Sequence, residues 1–133
     1  MIGTILEHLT GGPIVYLAAR QTFADKSLVT EELLREYSIS TLTPQGRRAV
    51  AEFIRNAVPK NAHELTARYP NMTTPVQFIR GDQDNLVDLN SARRFCQEVR
   101  GALLHQIPNC GHAPQEEQPK IVNELLVNFI LKF

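Results

Sequence analysis

Two loops of this chain carry residue types that can act together on a bond: Gly81-Asp82-Gln83-Asp84, and Asn109-Cys110-Gly111-His112. Asp84 and His112 stand 28 positions apart, the spacing of one strand-helix-strand crossover. A carboxylate beside an imidazole fixes its tautomer and stabilises the imidazolium, so that the other ring nitrogen can take a proton from a nucleophile or a water. The bland alternative is that Asp84 caps a turn or helix entry and His112 bonds loop backbone. Spacing alone leaves both readings open.

The elements around these loops decide whether the two groups can meet. Val76 to Arg80 is a short β-prone run that stops at Gly81. Ala92, Phe95, Cys96 and Val99 then form one helical stripe that ends near Gly101, and Leu103 to Ile107 reads as the next strand. Pro119 opens a last helix with a wide apolar face of Ile121, Val122, Leu125, Leu126, Phe129, Ile130 and Phe133. Strand, helix and strand at this spacing predict a parallel pair, with the loops leaving both strands on the same edge, where open α/β sheets bind ligands.

Upstream of Tyr69-Pro70-Asn71 the chain reads as helical. Thr30 is placed to cap Glu31 to Tyr37, and Thr43 to cap a second helix that has Pro44 at its first position and ends before Pro59. Gly11-Gly12-Pro13 breaks the opening segment, and Ile14 to Phe23 fits a short helix or a strand equally. The expected organisation is residues 1–70, a helical segment, and residues 71–133, a βαβα unit.

The two loops also carry a resemblance. Pro75 to Asp84 resembles the α/β-hydrolase strand that ends in G-x-x-D, followed there by two apolar residues, as Leu86-Val87 are here. Gly111-His112-Ala113-Pro114-Gln115-Glu116-Glu117-Gln118-Pro119 is similar to that family's G-H-x-P-x-x-E-x-P signature. The resemblance covers Met72 to Phe133. It implies an α/β fold, the C-terminal portion of a hydrolase-like parallel sheet with two strand-helix units, preceded by a cap-like helical segment. By that resemblance Asp84 is the triad acid and His112 the triad base, in the nucleophile-acid-histidine order of the fold. Glu117 and Pro119 are expected to organise the start of the last helix.

The nucleophile elbow, G-x-S-x-G, is missing. Ser27, Ser38, Ser40 and Ser91 lack the flanking small residues that permit the sharp turn, and so do Asp25, Asp82, Asp84 and Asp88 as aspartate counterparts. Cys110 lies in the histidine loop and reads as a buried filler. Asp82-Gln83-Asp84 departs from a phosphatase D-x-D pattern, and with Asp88 it departs from a calcium loop, where Gly and a closing Glu are missing. His8, His63 and His105 stand singly, without metal-ligand spacing. No metal or organic cofactor is expected.

Composition narrows the class further. The 133 residues are 43% hydrophobic and 21% charged, and fourteen basic residues balance fourteen acidic ones, so no net field favours nucleic acid or an anionic membrane. The longest apolar stretches fall short of the roughly 20 residues that span a bilayer. Two cysteines without a C-x-x-C motif or a leader point to a reducing, cytoplasmic setting. The expectation is the C-terminal part of a serine- or aspartate-nucleophile hydrolase acting on a small molecule with an ester-like bond, inactive by itself. The sheet is to be covered by a missing N-terminal half or by another copy of the chain. The alternative is a noncatalytic hydrolase-like fragment that serves as an interaction module.

Overall fold

The structure is a computed structural model that describes residues 12–133. Four helices come first: α1 (Gly12–Thr22), α2 (Glu31–Ser38), α3 (Pro44–Asn56) and α4 (Ala62–Thr66). Three 3₁₀ turns, Lys26–Leu28, Ile39–Thr41 and Tyr69–Asn71, link them and lead out of them. Then follow β1 (Gln77–Gly81), α5 (Leu89–Glu98), β2 (Leu103–Ile107), α6 (Pro114–Glu117) and α7 (Pro119–Leu131). The segment that fits helix or strand in sequence is a helix, α1. Its last turn is closed by Lys26, whose ammonium donates to the carbonyls of Arg20 and Phe23. His8 and Gly11 lie outside the described residues.

Local chemistry sets the helix starts. Thr30 Oγ1 accepts the Leu33 N–H at 3.2 Å, and Thr43 Oγ1 accepts the Gly46 N–H at 3.1 Å, each satisfying a donor that the helix itself leaves free. Gly46 is needed as well as capped, because a Cβ there would lie 1.6 Å from the Ser40 carbonyl oxygen. Removing the cap with Thr43→Ala is expected to cost about 1 kcal/mol, read as a lower urea midpoint with an unchanged slope.

The strands pair in parallel, in register from Gln77 opposite Leu103 to Gly81 opposite Ile107. Their C-terminal ends therefore lie at one edge, and the loops to Asp84 and His112 leave side by side. Helix α5 makes the crossover. Asp88 Oδ2 caps it by accepting the Ser91 N–H at 3.0 Å, and Phe95 packs on Phe78 and edge-on against Tyr69, with ring centroids 5.7 and 5.1 Å away. Ile107, Cys110 and Val122 form the core below the histidine loop, joined by Ile79 and Leu125.

Much apolar surface has no cover among the described residues. Among the described residues the sheet has two strands, so each strand keeps one edge unpaired. Helix α7 buries Val122 but leaves Ile130 70% exposed, and Phe53 on α3 is 74% exposed. Parallel strands are ordinarily buried on both faces, so these surfaces suit a larger sheet than the described residues build. No helix of the described residues is long and apolar enough to cross a membrane.

Candidate active site

Backbone contacts hold the two loops together before any side chain is considered. The Asp82 N–H donates to the Ile107 carbonyl and the Gln83 N–H to the Cys110 carbonyl, both at 2.9 Å, extending the strand pairing into the loops. Asp82 Oδ1 accepts the Cys110 N–H at 3.3 Å. Asn109 takes a left-handed φ of 53°, a conformation that asparagine tolerates better than most residues, and turns the chain after β2. The approach is so close that a Cβ on Gly81 would sit 1.9 Å from the Cys110 carbonyl oxygen.

On this frame the acid meets the base. Asp84 Oδ2 lies 3.0 Å from His112 Nδ1, and the Asp84 side chain is 4% exposed while that of His112 is 40% exposed. The other carboxylate oxygen, Oδ1, accepts the N–H groups of Leu86 at 2.8 Å and Val87 at 3.0 Å. Burial pushes the Asp84 carboxyl up, but the Val87 N–H, His112 and the Leu86 N–H together outweigh it and hold the group below its ordinary value. An ionised carboxylate can only accept, so Nδ1 carries the proton, and in the neutral ring Nε2 is left with a free lone pair. Below the loop, buried Arg80 donates through Nη2 to the carbonyls of Asp84 at 3.3 Å and Val87 at 2.9 Å.

The depressed acid ties stability to pH. In the folded chain Asp84 gives up its proton more readily than when unfolded, so its stabilisation is complete above the ordinary value of 3.8 and fades as pH falls through the lower folded value. Urea midpoints measured between about pH 5 and pH 2 are expected to fall more steeply for the wild type than for Asp84→Asn. Parallel curves would assign the acid sensitivity to other carboxylates.

The remaining candidates separate from the pair. Asp88 caps α5 and Asp82 serves the Cys110 N–H. Among the described residues no three His, Cys, Asp or Glu side chains converge as a metal-ligand set. Cys110 is fully buried, and burial, with the Glu117 and Asp82 carboxylates adding, pushes its thiol up to about 11. That environment disfavours the thiolate which a nucleophile requires.

Glu117 differs from its expected role at the start of the last helix. It ends the short helix α6, and its carboxylate turns toward backbone N–H groups of the histidine loop and of the segment after α1. Sequence reasoning missed these partners and missed α6 itself. Pro114 at the first position and Glu116 in the first turn were a usable signal for that helix.

Comparison with known proteins gives the family of the chain. A family model described as the alpha/beta hydrolase family matches residues 4–125. The chain belongs to the α/β-hydrolase family. It is 27% identical over 106 residues to the uncharacterized hydrolase YugF of Bacillus subtilis, covering 80% of this chain and 38% of that protein. It is 30% identical over 71 residues to the monoacylglycerol lipase abhd6-A of Xenopus laevis, covering 53% of this chain and 21% of the lipase. An α/β-hydrolase fold protein from Burkholderia ambifaria superposes with a TM-score of 0.81 at 21% identity, over 95% of this chain and 47% of that one. The chain thus spans less than half of each of these proteins.

Proposed function

We propose that this chain contributes the acid and the base of a hydrolase that cleaves an ester-like bond in a small molecule, with the nucleophile and the rest of the sheet supplied by the missing N-terminal half. The observation that carries the reading is the 3.0 Å contact between Asp84 and His112, whose half-exposed ring makes no hydrogen bond through Nε2 among the described residues. In this reaction Nε2 takes the proton of a serine hydroxyl as its oxygen attacks the carbonyl carbon. His112, now charged and held by Asp84, returns the proton to the leaving group, and water repeats the cycle on the acyl intermediate. An aspartate nucleophile would need His112 only to activate water in the second half. No metal or organic cofactor enters either route.

Residues 1–70 act in this reading as a cap-like segment and the helix leading back to the core, and residues 71–133 as the C-terminal part of the core. A contact between the two supports it: Tyr37 Oη on α2 donates to Glu116 Oε1 on α6 at 2.5 Å, beside the histidine loop. The uncovered apolar faces of α3 and α7 support a completing half, and two unpaired cysteines suit a reducing compartment such as the cytoplasm. Ester hydrolysis is favoured as the substrate class because the matched Xenopus protein is a monoacylglycerol lipase.

The test is hydrolysis of short p-nitrophenyl esters. The chain alone is expected to equal its His112→Ala variant, and a fluorophosphonate probe is expected not to label it. Produced together with an N-terminal half bearing a nucleophile elbow, the wild type is expected to gain activity that His112→Ala lacks. A gain that survives His112→Ala would overturn the reading, and no gain at all would favour a noncatalytic interaction module.

A further inference from the structure

We infer that Glu117 is a positioning residue for His112: its carboxylate fastens the histidine loop to the segment after α1 and thereby keeps the imidazole on Asp84. The inference rests on the reading of Asp84 and His112 as acid and base.

Glu117 Oε1 accepts the Gly111 N–H at 2.7 Å, with the Cys110 thiol more distant at 3.9 Å. Its Oε2 accepts the N–H groups of Ala24 at 2.7 Å and Asp25 at 3.2 Å. One carboxylate therefore joins two segments far apart in sequence by charge-assisted bonds, the stronger kind of hydrogen bond. A second tie runs alongside, from the His112 N–H to the Thr22 carbonyl at 2.7 Å. The peptide before His112 is held by Glu117, and the peptide nitrogen of His112 itself by α1. Gly111 admits this approach because a Cβ there would lie 2.3 Å from the Thr22 oxygen and 2.7 Å from Glu117 Oε1.

The acid needs no such help, since Asp84 is pinned by the N–H groups of Leu86 and Val87 within its own loop. Whether the pair stays in contact thus depends on the histidine side. A shift of about 1 Å there would take a 3.0 Å hydrogen bond out of range.

The experiment follows the Nδ1 proton of His112 by NMR in the ¹⁵N-labelled 133-residue chain. A protected downfield Nδ1–H resonance is expected in the wild type, lost in Asp84→Asn and lost in Glu117→Ala with the helical circular dichroism unchanged. Glu117→Gln, which keeps one acceptor oxygen, is expected to retain the signal in part. A folded Glu117→Ala chain with the wild-type resonance would overturn the positioning role while Asp84→Asn still reports the pair. A resonance that persists in Asp84→Asn would instead overturn the acid–base reading. If Glu117→Ala does not fold, Glu117→Gln decides: a weakened Nδ1–H resonance supports the positioning role, and one as protected as in the wild type overturns it.

Discussion

Asp84→Asn is expected to slow ester hydrolysis by the completed hydrolase about ten-thousand-fold while leaving the chain folded. Asparagine can keep Oδ1 on the Leu86 and Val87 N–H groups, so the loop has no reason to move. What changes is the atom facing His112. The amide nitrogen would now point a donor at Nδ1, which forces the ring to carry its proton on Nε2, the position that must accept one. A histidine in that tautomer cannot serve as the base, even though every heavy atom stays near its place. His112→Ala should cost about as much, and the double variant little more than either, because the two residues act as one unit. The measurement is kcat/KM on p-nitrophenyl acetate for the three variants. A loss of tenfold or less in Asp84→Asn would show that the carboxylate is not what prepares the imidazole.

The second large effect comes from a residue without a side chain. Gly81→Ala is expected to destabilise the chain by about 3 kcal/mol or more, because the new methyl would meet the Cys110 carbonyl oxygen at 1.9 Å and the Gly111 oxygen at 2.2 Å. Those atoms are backbone, and the Gln83 N–H holds the Cys110 oxygen while the Asp82 N–H binds the Ile107 carbonyl just before it in the chain. Relief would require parting the loops that bring Asp84 to His112. Gly101→Ala is the useful contrast. Gly101 has a φ of 77° but open space around it, so alanine there should cost only about 1–2 kcal/mol from the left-handed backbone. Urea unfolding of both variants checks the ranking, and a Gly81→Ala loss no larger than that of Gly101→Ala would contradict it.

What the sequence made legible was local or periodic. Thr30 and Thr43 announce their helices because a cap needs one side chain and a donor three positions on, and the Leu103–Ile107 strand is bounded as its β-prone run suggests. The Asp84–His112 contact was accessible because parallel pairing restricts where the two loops can emerge. Helix α4 escaped notice, since it is five residues long and has no side-chain cap. The role of Glu117 was hidden for a different reason: its partners at Ala24 and Asp25 are backbone N–H groups, and nothing in a residue's identity marks its amide as the one that a distant carboxylate will take. The breadth of the apolar stripe on α7 was readable, but what covers it was not, because the described residues leave most of that stripe open.

Cys110 gives this loop its own clock. A thiol with no exposed surface and a proton held up to about 11 cannot meet an alkylating reagent in the closed chain, whereas Cys96, half-buried on α5, is more accessible. Slow alkylation at Cys110 would then count the moments at which the neighbourhood of His112 comes apart, separately from global melting, without any label being engineered into the chain.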